Sequence, residues 1–184
     1  MKFDYSYSST ANVKYRNLFS SENITFFVFA AAVFFIPLIF GHVKDFPNQI
    51  FVGSLVNALL ALSAMHLTFK KSLPIIILPA IAAILSGFIF AEFTIFLVYL
   101  VPFIWLGNAA YVFAIKNLKL VNKLNYALAV FSSSLLKAGI IFAFTLILVS
   151  INLVPEIFLL PMGLVQFATA MLGGLVGGIT LLKN

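Results

Sequence analysis

Six long apolar runs, separated by short polar stretches, are the feature that most constrains the fold of this chain. A helix needs ~17–25 mostly apolar residues to cross a bilayer, and each run is close to that length. Outer-membrane barrels alternate polar and apolar residues instead. The runs predict an all-α integral membrane protein in which a six-helix transmembrane domain, 24–184, follows a polar tail over 1–23. The predicted helices cover residues 24–40, 49–69, 73–90, 93–115, 124–151 and 157–182.

The composition excludes the main soluble classes of protein. Of the 184 residues, 63% are apolar and only 9% are charged, whereas ~25% are charged in an ordinary soluble domain. A soluble fold with this composition would expose apolar patches that aggregate. The absence of cysteine excludes disulfides, thiolate metal sites and cysteine nucleophiles. The two histidines, His42 and His66, are too far apart in the sequence to predict a metal site.

The positive charges predict the orientation of the helices. Nine of the eleven lysines and arginines fall in the tail, the second and fourth connections and the C-terminus, whereas the other connections hold only Lys44. Because cytoplasmic loops carry an excess of Lys and Arg, both termini are predicted to be cytoplasmic, in a multi-pass protein of the cell membrane. The net charge of +6 is therefore interpreted as a topology signal, and no nucleic-acid partner is expected.

Lys137 is the residue that most needs a partner. It lies in the fifth apolar run, about 15 Å from the cytoplasmic end of that helix at ~1.5 Å per residue. A lysine at the centre of a membrane helix costs ~2.5–3.5 kcal/mol, and no acidic residue is expected at a matching depth. Its ammonium group either extends to the cytoplasmic interface or meets carbonyls, amides, water, a partner chain or an anionic or carbonyl-bearing ligand.

Other polar residues in or near the predicted helices are candidates for the same pocket. The amides of Asn57, Asn108 and Gln166 cost energy in lipid unless they are hydrogen-bonded, so they either join helices or line a binding pocket. Trp105 lies beside a proline expected to kink the fourth helix, and it either lines the pocket or packs there. Glu92 is either a polar group at the outer mouth of the pocket or a solvated turn residue.

Two patches of small residues predict close helix contacts, because such residues let backbones approach. The contacts are either internal or with another subunit. The residues are Gly173, Gly174, Gly177 and Gly178 in the sixth helix and Ala30, Ala31 and Ala32 in the first.

Several catalytic patterns are absent from the sequence. It has no pair of acidic residues within the apolar runs, no zincin motif, no Ser/His/Asp set and no Walker A motif. We therefore expect neither an enzyme nor a bound cofactor, and without buried acids there is no obvious proton relay. A binding protein that depends on another energy source suits these residues better.

The sequence resembles the substrate-binding (S) components of energy-coupling factor (ECF) transporters over residues 24–182. The resemblance lies in the length, the six helices, the short loops and four stretches. They are FVGSLVNALLAL, VPFIWLGNAAYV, SLLKAGIIF and MGLVQFATAMLGGLVGG. The resemblance implies capture of a vitamin or a metal-related small molecule from outside, and docking through a small-residue face onto a membrane coupling subunit driven by two ATPases.

The resemblance also implies roles for particular residues. Trp105, Asn108, Lys137 and Gln166 would lie in the pocket or at its floor, with Asn57 and Glu92 as further candidates. The alanines and glycines named above would form the docking face. One departure is that Ala30, Ala31 and Ala32 are contiguous, whereas many members of the family carry an Ala-xxx-Ala spacing in this helix.

The leading hypothesis is thus a substrate-binding subunit of an ATP-driven importer of a small molecule such as a vitamin or cofactor precursor. One alternative is a structural or assembly subunit of a larger membrane complex, in which Lys137 and the glycines contact other chains. Another is a small channel or exporter, which would need a continuous polar path through the bundle.

Overall fold

Six helices that are long and apolar enough to cross a membrane are present in the computed structural model, which describes residues 20–41, 48–87 and 91–181. No strand occurs in these three ranges, so the prediction of an all-helical protein with six such helices is confirmed for them. Most of the predicted polar tail, residues 1–19, lies outside the described part of the chain. The helices are α1 (Ser21–Phe40), α2 (Asn48–His66), α3 (Phe69–Ser86), α4 (Leu97–Lys116), α5 (Tyr126–Ser150) and α6 (Gln166–Leu181).

The first helix begins three residues earlier than the apolar run. Ser20 has an extended backbone, and its hydroxyl oxygen accepts a hydrogen bond of 3.3 Å from the N–H of Asn23. This is the geometry of an N-cap, which satisfies one of the otherwise unpaired amides of the first turn. The cap brings Glu22 into the first turn of the helix.

The limits of α3 differ from the prediction at both ends. The prediction placed Lys70 and Lys71 in a connection, but they lie in the first turn of α3, and the connection is only Leu67 and Thr68. Charge was interpreted as a loop signal, although long lysine side chains at a helix end can reach the interface. At the other end Gly87 adopts a left-handed conformation, with φ 69°, and ends the helix before residue 90.

The starts of α4 and α6 are irregular. A 3₁₀ helix, Ala91–Phe96, leads into α4, and another, Glu156–Phe158, precedes α6. A π-helix, Pro161–Val165, then joins directly to Gln166. The predicted starts at 93 and 157 fall within the 3₁₀ segments. Wide π turns of this kind often occur at functional sites.

The helices pack into two clusters of buried side chains. The main pairs are α2 with α6, α4 with α5 and α1 with α3. One cluster includes Leu60, Ala64 and Ile115, and the other includes Leu100, Phe158 and Met162. Lipid is as apolar as leucine, so close van der Waals packing rather than water exclusion holds such helices together.

The described lysines outside α5 lie at one end of the bundle, which we call the basic end. It comprises the start of α1, the α2–α3 and α4–α5 connections and the end of α6. Lys71 Nζ lies 2.7 Å from a carboxylate oxygen of Glu22. Lys116 Nζ donates to the carbonyl oxygens of Ala64 and Leu67, at 3.2 and 2.7 Å. These bonds tie α1 to α3 and α4 to α2 at this end.

We expect Glu22→Gln to lower the stability of the protein slightly. The change removes the ion pair with Lys71, in which both side chains are about one-third exposed, and exposed ion pairs contribute little to stability. The melting temperature in detergent should be lower for this variant than for the unchanged protein, and the difference should shrink at high salt. Glu156→Gln, an exposed residue at the opposite end, is the control. Equal melting temperatures for the two variants would contradict the expected role of Glu22.

Candidate functional site

A cavity of about 110 Å³ lies where the two buried clusters meet. All six helices or their lead-in segments contribute to its wall, and none of the lining residues is a phenylalanine. The lining draws on the end of α1, the first half of α2, the second half of α3 and the start of the last helix. The cavity therefore lies in the half of the bundle away from the basic end. Its polar residues are Gln49, Asn57, Asn108, Lys137, Gln166 and Thr169.

Lys137 and Asn57 form the inner floor of this cavity. Lys137 is 2% exposed, and its Nζ donates a hydrogen bond to Asn57 Oδ1. The ammonium group also lies 5.5 Å from the centre of the Tyr111 ring, within the range of a cation–π interaction. Lys137 thus bonds inside the bundle, so the alternative in which its ammonium extends to the cytoplasmic interface is wrong.

The amide of Asn57 connects three helices. Its Nδ2 donates to the Gly53 carbonyl oxygen at 2.8 Å and to Thr169 Oγ1 at 3.3 Å. Since Oδ1 accepts from Lys137 in α5, the amide joins α2, α5 and α6. Because Nδ2 makes these two bonds, the oxygen end of the amide points at the ammonium group. The sequence left two roles open for Asn57, joining helices or lining a pocket, and in the structure it does both.

Asn108 lines another part of the same cavity. Its Nδ2 donates to the Ile76 carbonyl oxygen at 3.2 Å. Its Oδ1 is buried and has no hydrogen-bond partner in the described part of the chain. A buried acceptor without a partner costs ~1–3 kcal/mol, so a donor that reached this oxygen would lower the energy of the site.

Gln166 also lines the cavity, at the junction between the π-helix and α6. It is partly exposed, so it lies nearer the rim than Lys137 does. Pro161, Met162 and Val165 of the π-helix form the adjoining wall. The irregular segment thus shapes the site.

Two predicted pocket residues do not line the cavity. The Trp105 indole Nε1 donates to the Ile77 carbonyl oxygen at 3.1 Å, so it joins α4 to α3. Glu92 is exposed in the 3₁₀ helix before α4, at the end of the bundle towards which the cavity lies. The predicted set therefore divides, and Asn57, Asn108, Lys137 and Gln166 are the members brought together.

Three polar residues at this site were missed by the sequence reasoning. One of them is Gln49, which lines the cavity. Thr169 accepts from Asn57, and Tyr111 holds its ring beside Lys137 while its hydroxyl donates to the Ala170 carbonyl oxygen at 2.8 Å. A threonine in a membrane helix gives no signal, because its hydroxyl can bond its own helix. Tyr111 carried a weak signal, since it is a polar aromatic residue within an apolar run.

The four glycines of α6 contact the chain's own helices. A Cβ at Gly173 would overlap the Ser54 carbonyl oxygen, and one at Gly174 would come within 2.5 Å of the Tyr111 hydroxyl. Gly177 faces Ala58, and Gly178 faces the Tyr126 ring. This face is covered by α2 and by the two tyrosines, so the glycines do not offer a free docking surface to another subunit.

The alanine patch of α1 lies on the least buried of the six helices. Ala31 is exposed, whereas Ala30 and Ala32 are partly covered, and Ala30 packs against the buried cluster. Of the two predicted small-residue faces, this is the one that another chain could reach.

The arrangement is suited to holding a small polar group. In the described ranges Glu22 is the only acid in an ion pair, and its partner is Lys71, so Lys137 faces no carboxylate there. The same ranges contain no group of three His, Cys, Asp or Glu residues able to hold a metal ion. What the site offers is one buried cation, two buried amides (Asn57 and Asn108), two partly exposed amides (Gln49 and Gln166) and a largely apolar wall.

Comparison with known protein families, with curated proteins and with solved structures finds no match for this chain.

Proposed function

We propose that the protein is a membrane-embedded substrate-binding subunit that captures a small molecule in the cavity between its helices. The observation that carries this proposal is a cavity between the helices whose floor is a buried lysine with an amide partner. Pockets that combine apolar walls with a few convergent polar groups are typical of ligand sites. An ionisable residue inside a membrane bundle is also a functional-site signal in its own right.

The bonds of Lys137 favour this proposal over a structural or assembly subunit. A lysine whose role is assembly would reach for an acid on another chain, but this ammonium group bonds Asn57 inside its own bundle. The glycines of α6 are likewise covered internally. Neither feature on which the alternative rested points outward.

The core beyond the cavity floor disfavours a channel. Between Lys137 and the basic end, the core consists mainly of fully buried apolar side chains, among them Leu60, Ala64, Val112 and Ile115. A channel or exporter would need a continuous polar path there, whereas the hydroxyls of the buried Ser63, Ser72 and Ser133 donate to backbone carbonyls. In the described part of the chain the cavity ends at its floor.

The size of the cavity limits what it holds in this state. An engineered cavity of ~150 Å³ binds benzene, a molecule of six heavy atoms. The space here, about 110 Å³, suits a molecule of that size or smaller, or one end of a larger molecule. A vitamin-sized substrate would require the helices to separate. The wall contains Pro37, Pro79 and Pro161, which lie in three different helices. Helices bend at prolines, so these positions would allow the cavity to widen.

The energy source and the direction of transport belong to the same proposal. The basic end would face the cytoplasm, so the cavity would face the outside and take up its substrate there. The sequence carries no ATP-binding motif. We propose that an ECF-type coupling subunit with two ATPases supplies the energy for import, and that it docks on the accessible alanine face of α1.

The purified protein is expected to retain or bind a small molecule. Native mass spectrometry of the full chain would detect a bound compound. In a thermal-shift screen of a metabolite library, a compound that binds would raise the melting temperature of the protein. Ala83→Phe, which fills the cavity wall, should weaken this binding at least about tenfold, since overpacking such a space costs ~1–3 kcal/mol. Ala127→Phe places the same side chain on an exposed position of α5 and is the matched control.

The partners are tested by affinity purification from native membranes in mild detergent. Recovery of a membrane coupling subunit and two ATPases would support the importer. Recovery of a stable membrane partner without ATPases, combined with no small-molecule binding, would overturn the proposal in favour of an assembly subunit. Solute flux through liposomes that contain the protein alone would favour a channel.

A further inference from the structure

The polar lining of the cavity offers more hydrogen-bonding capacity than the described residues use. A lysine ammonium group has three N–H donors, and the hydrogen bond of Lys137 to a described residue goes to Asn57. Asn108, in another part of the lining, contributes an acceptor, because its Oδ1 is buried without a described partner. A ligand that satisfies both Lys137 and Asn108 therefore carries an acceptor for the ammonium group and a donor for the amide oxygen.

The charge of the site selects the kind of acceptor. Lys137 is buried, and no described carboxylate balances it. Hydrogen bonds between an ammonium group and a carboxylate are roughly twice as strong as neutral ones, and the attraction is greater in an apolar surrounding. A ligand with a single negative charge would balance the site, whereas a dianion would leave one charge uncompensated among apolar walls.

The walls and the volume select the rest of the molecule. The groups beside the polar floor are mainly those of Val52, Val56, Leu97, Ile104 and Met162, which favour a short hydrocarbon body. A cavity of about 110 Å³ has room for about six heavy atoms. These limits describe a small organic acid that also carries a hydroxyl or amino group.

We propose that the cavity binds a small monocarboxylate through Lys137 Nζ, while a hydroxyl or amino group of the same molecule donates to Asn108 Oδ1. This proposal rests on the proposed function and names the class of its substrate. The carboxylate oxygens accept from the ammonium group, which keeps its bond to Asn57, and the hydrocarbon part of the ligand packs on the apolar wall.

The experiment compares three probes on the full chain in lipid nanodiscs by calorimetry and thermal shift. They are lactate, its neutral amide lactamide, and propionate, which lacks the hydroxyl group. Lactate is expected to bind at least tenfold more tightly than lactamide, because only lactate has a charge for Lys137. It is expected to bind about tenfold more tightly than propionate, because propionate leaves Asn108 Oδ1 unpaired.

Two substitutions assign these differences to their residues. Lys137→Met should abolish the preference for lactate over lactamide, and Asn108→Leu should abolish the preference for lactate over propionate. Lys116→Met is the matched control, because its ammonium group also bonds protein oxygens but lies at the basic end, outside the cavity. If Lys137→Met fails to fold, the three probes on the unchanged protein still decide the matter.

The outcomes separate this proposal from the proposed function. Equal affinities for lactate and lactamide would overturn the monocarboxylate site. So would a chloride salt that raises the melting temperature of the protein as much as lactate does. If the protein instead retains a neutral or multiply charged compound in native mass spectrometry, the substrate class is wrong and the binding function stands. If no probe binds and no compound is retained, both fall.

Discussion

Replacing Gly173 with alanine is expected to destabilise the protein by about 3 kcal/mol, the upper end of the usual range for overpacking. The added Cβ would overlap the Ser54 carbonyl oxygen and lie 2.7 Å from the Ala58 amide nitrogen. Both obstacles are backbone atoms of α2, which cannot rotate aside as a side chain would. The contact between α2 and α6 would have to open, and this contact holds Asn57 beside Thr169.

The same substitution at Gly139 is the control. Gly139 lies in α5, and a Cβ there would meet nothing within 4 Å. Alanine is the better helix former, so Gly139→Ala should leave stability unchanged or raise it by up to about 1 kcal/mol. Equilibrium unfolding in mixed SDS micelles would measure both. A loss for Gly173→Ala no larger than for Gly139→Ala would mean that α2 and α6 are not in close contact.

The number of helices was predictable because the bilayer sets the length of an apolar run. The ends were less predictable, since they depend on signals of one or two residues. Gly87 ends α3 through its left-handed backbone, yet the apolar residues after it made the run seem to continue. The π-helix Pro161–Val165 had no sequence signal beyond its proline.

The site was predictable only as a set of polar residues that lipid would disfavour. Lys137, Asn57, Asn108 and Gln166 stood out because each costs energy in an apolar surrounding. Their pairing was not predictable, because the hydrogen bond from Lys137 to Asn57 joins positions 80 residues apart. That contact depends on the packing of α6 against both α2 and α5, which no local pattern encodes. Trp105 was predicted as a pocket residue because it follows the proline expected to kink the fourth helix, but its indole bonds a backbone carbonyl of α3.

Asn57→Leu is expected to be more destabilising than the double change of Asn57→Leu with Lys137→Met. The single change removes the amide and leaves the ammonium group of Lys137 buried without a side-chain partner, which costs about 3 kcal/mol or more. The double change removes the cation as well and leaves two apolar side chains of similar size. Replacing both partners of a buried polar contact by apolar groups is often nearly neutral. Lys137→Met alone should cost about 1–3 kcal/mol, since it leaves Asn57 Oδ1 unpaired.

A double-mutant cycle in mixed SDS micelles measures this difference. The two single variants each lose unfolding free energy. The sum of these two losses should exceed the loss of the double variant by more than the ~0.5 kcal/mol found for independent sites. Additive losses would mean that the ammonium group is served by groups other than Asn57, and the picture of a floor built by these two residues would fail. The double variant also separates folding from binding. If it folds nearly as well as the unchanged protein and no longer distinguishes a carboxylate from its amide, then the buried lysine is retained for its ligand rather than for stability.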